Sequence, residues 1–459
     1  MKKSLLAVAV VIGLVASCGP KPTESKIVKI GAVIDRTGSI AGATWPEDLK
    51  LATEQVNAAL TARKFKNLQL DFVLNDSQNR PDVAGPLAIE SRDQGVKAIL
   101  TDTSRDDIEV NQRINYDADA TTRLPIVCFA CNAPNINNPT ATDADGGTQA
   151  ALRDQDHWNF RTLMSSVYNG RVMVKMIQDR GTRGDMDGNG TVKVAFFAGN
   201  EPFGRGFITS VKNAIAAADA GILTETLLHP ATVDENSYPW ATDLGKVVDT
   251  NSEDGGVDGP PDHVIEITSY PVAVTKAWKQ AQYDTQPYRF WHTQTFQVPS
   301  TLRNLGSLAE NETGQAVLTL AVPGGAPFAQ AFTARTGVEP SFRDSMLYDS
   351  AAVLYLAIIH AVQTSGVADP TQVSPEAIRS SLKAIQDSAG TVVLPGEFEK
   401  AIDLIVAGTA INYEGASGPL QFDANNGVTN QMVEFKVQGG QFTNSAQYDC
   451  VSSPACPRQ

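Results

Sequence analysis

The sequence predicts an α/β protein with two doubly wound lobes, each built around a parallel sheet. Short runs of β-forming apolar residues alternate with stretches in which apolar residues recur at helical spacing. This alternation is typical of βαβ units, whose helices cover both faces of a parallel sheet. Because about ten such units are expected, which is too many for one sheet, we predict two lobes.

The elements are expected in a regular order. The run at 27–34 predicts a buried strand, and the spacing of Leu49, Ala52, Val56 and Leu60 predicts a helix. Further strands are predicted at 68–74, 97–101, 124–129, 192–198, 222–228 and 264–268, and further helices at 83–94, 165–180, 206–218, 272–283, 344–363 and 375–386. The end of the chain predicts a hairpin that turns at two adjacent glycines.

Composition and motifs exclude several classes of protein. Of the 459 residues, 42% are hydrophobic and 19% are charged, which is typical of a folded chain. The formal net charge of −14 lacks the basic footprint of a nucleic-acid-binding protein. P-loop, nucleophile-elbow, zinc-protease and dinucleotide-binding motifs do not occur, and the five histidines lack metal-ligand spacing. We therefore predict a binding protein without catalytic activity, cofactor or metal.

The N-terminus has the features of a lipoprotein signal peptide. Two lysines precede an apolar stretch at 5–16, which at about a dozen residues is too short to span a bilayer. Small residues then precede Cys18, and this segment resembles a bacterial lipoprotein processing site. We predict a signal peptide at 1–17, lipidation of Cys18, a tether at 18–26 and an exported protein anchored in the cell envelope. The alternative is an ordinary cleaved signal in which Cys18 has no role.

The remaining cysteines fit export. They form two close pairs, Cys128 with Cys131 and Cys450 with Cys456. An even number at short spacing predicts two local disulfides in an oxidising compartment, the second of which pins a tail at 450–459. The alternative for the first pair is a redox motif. In a redox motif of this kind, the first cysteine lies at the start of a helix. Prolines soon follow the pair in this sequence, and they disfavour a helix here.

One polar insertion has a partial calcium-binding pattern. Asp185, Asp187 and Asn189 match the first three ligand positions of a calcium loop. The twelfth position, which requires a bidentate glutamate, is Phe196. An acidic solvated turn is the alternative, and the sequence leaves both open.

Seven segments, in this order, resemble one family of binding proteins. They are KIGAVIDRTGSIAG (29–42), VKAILTDTS (96–104), LPIVCFACNAP (124–134), FRT (160–162), EPFGRGF (201–207), LYDSAAVLYLAI (347–358) and YEGASGPLQFDANNG (413–427). Together they resemble the type I periplasmic substrate-binding proteins, in particular the branched-chain amino-acid (Leu/Ile/Val) binding family of ABC importers. The resemblance covers nearly the whole chain after the predicted signal peptide, apart from the polar insertions.

The resemblance implies two lobes that close on a small molecule. The implied boundaries are 27–164 plus 321–425 for lobe 1, 165–320 plus 426–449 for lobe 2, and three hinge crossings near 160–164, 320–323 and 423–430. Ligands of open α/β sheets bind beyond the carboxyl ends of the strands. A ligand in the cleft would stabilise the closed form, which the membrane subunits of an importer would recognise. The family default is a monomer.

The family's ligand contacts can be transferred to individual positions. The implied ligand-binding residues are Ser104, Arg105, Ala130, Asn132, Tyr270 and Gln294. Ordinary structural roles are the alternatives, namely a helix cap for Ser104, a turn for Asn132 and packing for Tyr270.

Two departures from the family bear on the ligand. Relatives that bind amino acids hold the α-ammonium group with acids of the second lobe, whereas Gln294 and Ser166 stand at those positions here. A buried ammonium group without a charged partner is costly. Either another acid substitutes or the ligand lacks that group, so we predict an amino-acid-like molecule, an organic acid or an amide. Arg105 would favour a carboxylate. The rim of the cleft is expected to hold aromatic residues that could stack on a larger or aromatic ligand, namely Trp45, Tyr168, Trp291 and His292.

The leading interpretation is a solute-binding lipoprotein of an ABC importer. The alternative is a lipoprotein that uses the same fold to sense a ligand or to regulate a partner in the envelope. It is favoured by the missing carboxylates and by long polar insertions at 136–156, 180–191 and 250–262, which transport alone does not require. An exported hydrolase would need Ser104 within hydrogen-bond reach of His292.

Overall fold

The computed structural model describes residues 25–142, 149–219, 221–248, 260–286 and 288–459. The predicted signal peptide, Cys18 and most of the predicted tether lie outside these residues. Within them, strands and helices alternate along the chain, which confirms the α/β class.

The described residues form fifteen strands and thirteen α-helices, with the following bounds. The strands are β1 (Lys26–Ile34), β2 (Leu68–Asp76), β3 (Ile99–Thr101), β4 (Ile126–Cys128), β5 (Asn159–Arg161), β6 (Lys193–Gly199), β7 (Leu223–His229), β8 (His263–Ile267), β9 (Arg289–His292), β10 (Thr313–Val317), β11 (Thr391–Val393), β12 (Ile411–Gly415), β13 (Gly418–Pro419), β14 (Met432–Gln438) and β15 (Gln441–Tyr448). The helices are α1 (Trp45–Ala62), α2 (Pro81–Asp93), α3 (Ser104–Asn111), α4 (Gln149–Arg153), α5 (Ser166–Gln178), α6 (Pro202–Ala217), α7 (Trp240–Val248), α8 (Pro271–Gln280), α9 (Pro299–Leu305), α10 (Gly325–Thr336), α11 (Phe342–Thr364), α12 (Pro375–Ala384) and α13 (Phe398–Val406).

Two sheets organise the molecule, and we call each sheet with its helices a lobe. The sheet of lobe 1 has the order β2-β1-β3-β4-β5 and is entirely parallel. The sheet of lobe 2 has the order β15-β14-β10-β9-β8-β6-β7, in which β6 to β10 are parallel and β14–β15 is an antiparallel hairpin. The hairpin turns at Gly439 and Gly440, whose φ angles of 60° and 72° favour glycine, as predicted. A small third sheet, β11-β12-β13, is not predicted by the sequence.

Helix α11 forms the centre of the core of lobe 1. It begins at a capping box, in which Ser341 and Asp344 bond each other's backbone N–H groups. Among the described residues it is the helix long and apolar enough to cross a membrane, but 94% of its most apolar stretch is buried inside the protein. Because it packs against α1, α12 and α13, its apolar faces are those of a core helix.

The chain passes between the lobes three times, after β5, after β10 and before β14. The crossing segments are hydrogen-bonded to one another. The amide of Leu318 donates to Gln431 O (2.7 Å), and the amide of Met164 donates to Asn430 Oδ1 (3.0 Å). Short bonds between neighbouring crossings suit a hinge, because they align the segments while leaving few residues to change conformation. The exact lobe boundaries stay a prediction.

Both predicted cysteine pairs lie at disulfide distance. The loop between Cys450 and Cys456 rests on α5. Arg171 donates a hydrogen bond to Pro454 O (2.6 Å), and Lys175 donates one to Cys456 O (2.7 Å). These contacts hold the C-terminal tail against lobe 2.

A buried carboxyl pair lies between α1 and α11. Asp48 is fully buried beside Asp344, whose carboxylate accepts hydrogen bonds from Thr44 Oγ1 (2.5 Å) and Ser341 N (2.6 Å). Burial, reinforced by the charge of Asp344, raises the pKa of Asp48 well above its usual value. The folded protein therefore holds a proton on Asp48 up to a higher pH than the unfolded chain does.

We expect Asp48→Asn to raise the free energy of unfolding at pH 7, because a neutral amide avoids the cost of burying a group that ionises in the unfolded chain. In the wild type, the raised pKa gives its full stabilisation below the pKa of the unfolded carboxyl, and that stabilisation is lost as the pH rises through the folded pKa. Urea unfolding between about pH 4 and pH 8 measures this dependence, which the variant should lack. The exposed Asp219→Asn serves as control, and an equal effect of both variants would contradict the prediction.

Candidate ligand-binding cleft

A cavity lies between the lobes, at the carboxyl ends of the parallel strands of both sheets. Its walls from lobe 1 include the turns that follow β1 to β5, and its walls from lobe 2 are the turns that follow β6, β8 and β9. Its volume is about 50 Å³. A single water needs about 10–15 Å³ on the same measure, so the cavity suits a small molecule. This is where the fold places a ligand.

Five of the six predicted ligand-binding residues line this one cavity. They are Ser104, Arg105, Ala130, Asn132 and Gln294. The structure does not bring Tyr270 to the cavity, where the neighbouring Ser269 stands in its place. The Tyr270 hydroxyl accepts a hydrogen bond from Val233 N (3.2 Å), and its ring packs on Trp240 at 5.5 Å between centroids. Tyr270 thus has the packing role given as its alternative, and the ligand roles of the other five stay predictions.

Ser104 lines the cavity. It is the first residue of α3, so the N-cap position belongs to the residue before it. Thr103 is the N-cap of α3, and its hydroxyl accepts a hydrogen bond from Asp106 N (3.4 Å). The hydroxyl of Ser104 is therefore not used as a cap and accepts a hydrogen bond from Ala133 N (3.2 Å).

Asn132 presents an unpaired donor at the cavity. Its carbonyl accepts a hydrogen bond from Ser166 N (2.7 Å), whereas its side-chain amide nitrogen is buried without a hydrogen-bond partner in the structure. Asn132 is 2% exposed. A buried donor without a partner is unfavourable, so a ligand acceptor at this position would be stabilising.

The glycine-rich turn after β1 is held by Asp35. The buried carboxylate of Asp35 accepts hydrogen bonds from the amides of Thr37 (3.2 Å) and Ile40 (3.0 Å). Gly38 is required at the bend, because a Cβ atom there would collide with the carbonyl of Gln78. The turn places Ile40 in the wall of the cavity.

An ion pair crosses the cavity between the lobes. Arg105 is the second residue of α3 in lobe 1 and Glu201 precedes α6 in lobe 2, with 3.7 Å between Nε and the carboxylate. Their side chains are 9% and 8% exposed. Arg105 also donates to the side-chain oxygen of Asn79 (3.0 Å). Burial raises the pKa of Glu201, and the charge of Arg105 and a hydrogen bond from Ser269 oppose that rise.

Glu201 is not among the predicted cavity residues, although its segment, 201–207, is one of those that resemble the binding-protein family. The available signal was an acidic residue directly after a buried strand, at the carboxyl edge of the sheet.

Arg343 is a second missed residue of the cavity. It lies in the first turn of α11, and its guanidinium donates to Ile40 O (3.3 Å). Among the described residues, no carboxylate lies within ion-pair distance of it. Burial lowers the pKa of Arg343, and the carboxyl groups of Asp102, Asp344 and Asp35 oppose that effect. The cavity wall therefore holds two guanidinium groups and the one carboxylate of Glu201.

The two positions at which relatives carry acids are neutral and engaged in lobe 2. Gln294 Oε1 accepts a hydrogen bond from Asn169 Nδ2 (3.0 Å), and the hydroxyl of Ser166 pairs with that of Ser210 (3.1 Å). Among the residues that line the cavity, the acid is Glu201, which lies at neither of these two positions.

Trp291 and His292 do not lie at the rim, and this expectation was wrong. Both belong to the central strand β9 and are buried. The ring nitrogens of His292 pair with Glu266 (3.1 Å) and Glu312 (2.9 Å), and neither Trp291 nor His292 lines the cavity. Trp45 and Tyr168 do not line it either. Since both ring nitrogens are engaged inside lobe 2, the Ser104–His292 arrangement needed for a hydrolase is not formed.

The partial calcium pattern lies at the opposite end of lobe 2, before the amino ends of β6 and β8. Carboxylate oxygens of Asp185, Asp187 and Asp262 lie within 4.8 Å of one another. Asn189 donates a hydrogen bond to Asp187 (2.9 Å), and Phe196 is buried in β6. The acidic turn and the calcium loop both stay hypotheses.

Comparison of the sequence with known proteins gives one short match. No protein-family model matches the chain. The chemotactic signal transduction system substrate-binding protein BasB of Halobacterium salinarum is 35% identical over 77 residues. These residues are 17% of this chain and 16% of that protein, so the match spans a small part of either.

Solved structures match over the whole fold. The leucine-binding protein LivK from Thermotoga maritima has a TM-score of 0.62 at 14% identity, covering 92% of this chain and 98% of that chain. An ABC transporter solute-binding protein from R. palustris, in complex with benzoate, has a TM-score of 0.64 at 13% identity, covering 94% and 97%. The chain therefore has the type I periplasmic binding protein fold, which confirms the predicted resemblance at the level of the fold.

We expect Arg105→Met to lower the free energy of unfolding, because it leaves the Glu201 carboxylate buried without its cation. Breaking a buried pair typically costs about 3–5 kcal/mol, and we expect the lower end for this pair. Adding Glu201→Gln should recover most of the loss. A double-mutant cycle by urea unfolding measures the coupling, and the lost bonds to Asn79 cancel in it. Strictly additive losses would show that the two charges are not coupled.

Proposed function

We propose that this chain, which has the type I periplasmic binding protein fold, is an extracytoplasmic solute-binding protein of an ABC importer that binds a small organic acid and is not an enzyme. The observation that carries the proposal is the cavity itself. It lies at the carboxyl ends of both sheets, takes residues from both lobes and contains the unpaired amide nitrogen of Asn132.

Binding would be coupled to closure of the lobes. A ligand that accepts a hydrogen bond from Asn132 in lobe 1 and contacts Phe203 in lobe 2 has more partners in the closed form than in the open one. It would shift the equilibrium by its difference in affinity for the two forms. The membrane subunits of the importer would then recognise the closed form.

The charges of the cavity favour an anion. Glu201 is already paired with Arg105, whereas Arg343 has no such partner among the described residues. A zwitterionic amino acid would place its ammonium group beside an acid that is already used, and a buried ammonium group without a partner costs several kcal/mol. A carboxylate could instead accept from Arg343 and Asn132.

The shape of the wall favours an apolar or aromatic body. Phe203 and Phe342 contribute rings to the cavity from opposite lobes, and Ile40 and Leu163 add aliphatic surface. Flat rings pack well between aromatic side chains. The R. palustris protein of the same fold was solved with benzoate, which supports a small aromatic carboxylate here.

The proposed location is the outer side of the cytoplasmic membrane or the periplasm, with a lipid anchor at Cys18. The support comes from the sequence, in which a charged start, an apolar stretch and small residues precede that cysteine. The two close cysteine pairs suit an oxidising compartment. We propose that the protein acts as a monomer.

A sensory role is the second candidate. Its support is the 77-residue match to a substrate-binding protein whose name places it in chemotactic signal transduction. In that role the same closure would be recognised by a signalling partner instead of importer subunits. Deletion of the gene distinguishes the two, because loss of uptake of the labelled ligand supports transport, whereas loss of the response with normal uptake supports sensing.

We expect the exported protein to bind benzoate or 4-hydroxybenzoate more tightly than leucine in isothermal titration calorimetry. Arg343→Met should weaken benzoate binding about tenfold or more, since a hydrogen bond to a charged group contributes about 1.5–3 kcal/mol. The control is Arg303→Met, which removes an exposed arginine of α9 outside this cavity. Tighter binding of leucine, or equal losses in both variants, would contradict the proposed ligand class.

A further inference from the structure

The turn after β4 carries two of the cavity residues and closes on itself through a cysteine pair. Cys128 ends β4, and Cys131 follows three residues later at disulfide distance, with 5.7 Å between the Cα atoms. Both cysteines are fully buried. Ala130 and Asn132, inside and directly after this turn, face the cavity.

Lobe 1 holds this turn on two sides. Phe129 N donates to Thr101 O of β3 (3.1 Å), and its ring makes a T-shaped contact with that of Trp45 at 5.0 Å between centroids. Ala133 N donates to Ser104 Oγ (3.2 Å), so the turn is bonded to another cavity residue.

The same turn is bonded to the first crossing between the lobes. Thr162 N donates to Cys128 O (3.0 Å), and Ser166 N, at the start of α5, donates to Asn132 O (2.7 Å). The buried guanidinium of Arg161 donates to Ala133 O (2.9 Å). The hydrogen-bond partners of the turn therefore include both ends of the segment 162–166 that joins β5 to α5.

Pro134, three residues after the turn, also contacts lobe 2 beyond the crossing. Gly206 in α6 lies against the ring of Pro134, and a Cβ atom at position 206 would collide with that ring. A displacement of the turn would therefore also displace the first crossing and α6.

We propose that the Cys128–Cys131 disulfide is a positioning element that fixes the ligand contacts of Ala130 and Asn132 and ties them to the first crossing. Without the bond, the turn would gain conformational freedom that a ligand must remove when it binds. The amide of Asn132 would then be presented in many orientations, and the bonds to Thr162 and Ser166 would open more often. The ligand part rests on the proposed function, whereas the link to the crossing does not.

The second cysteine pair provides a matched control. Cys450 and Cys456 also close a short loop and are also buried, but their loop contacts α5 on the outer side of lobe 2. The entropic effect of a disulfide rises only with the logarithm of the loop length, so removal of either bond should change global stability similarly.

The experiment compares Cys128→Ala/Cys131→Ala with Cys450→Ala/Cys456→Ala in the full exported protein. Amide hydrogen exchange is measured at Thr162 and Ser166, and benzoate affinity is measured by calorimetry. In the first variant we expect at least tenfold faster exchange at both amides and at least tenfold weaker binding. In the second variant we expect the exchange rates and the benzoate affinity to be within twofold of the wild type. The two variants should have similar midpoints of thermal unfolding.

Several results would overturn the proposal. They are wild-type exchange in the first variant, equal changes in the two variants, or four free thiols in the unfolded, unreduced wild type. If the wild type itself does not bind benzoate, the proposed ligand fails, and exchange at Thr162 and Ser166 still decides the positioning role. If the alanine pair does not fold, the serine pair at the same positions is measured in its place.

Discussion

The parallel arrangement of the strands in both lobes is the constraint on which the binding site depends. Parallel strands need crossover connections, so the turns that follow their carboxyl ends emerge along one edge of the sheet. In the described part of the chain, such turns from the two lobes face each other across one cavity.

Charge compensation across this cavity determines what it can accept. Arg105 and Glu201 neutralise each other between the lobes, while Arg343 and the amide of Asn132 are donors without an equivalent partner. An acceptor of hydrogen bonds with negative charge is the physical complement of that arrangement. The turn that carries Asn132 is also bonded to Ser166 at the first crossing, so the ligand contact and the hinge are neighbours in one hydrogen-bond network.

Most of the elements could be predicted because their local pattern is strong. Strands of β-forming residues such as β1 and β6, and the long helix α11, keep an apolar period that tertiary contacts do not override. The short strand β9 is not among the predicted strands, and two of its residues are expected at the rim instead. Its residues Trp291 and His292 are buried because β8 and β10 lie on either side of β9. The sequence of a four-residue segment does not indicate whether the strand is central or at the edge of its sheet.

The sequence by itself determined the fold class through its alternating pattern. Its resemblance to the binding-protein family implied the positions that line the cavity, namely Ser104, Arg105, Ala130, Asn132 and Gln294. Only the tertiary structure decided that Ser269 rather than Tyr270 faces the cavity, and that Glu201 and Arg343 join it. The physical reason is that neighbouring residues in a chain point their side chains in different directions. The sequence pattern at the end of a strand does not determine which of two neighbours points toward the cavity. Contacts between residues far apart in the chain depend on how the lobes pack, which no local period encodes.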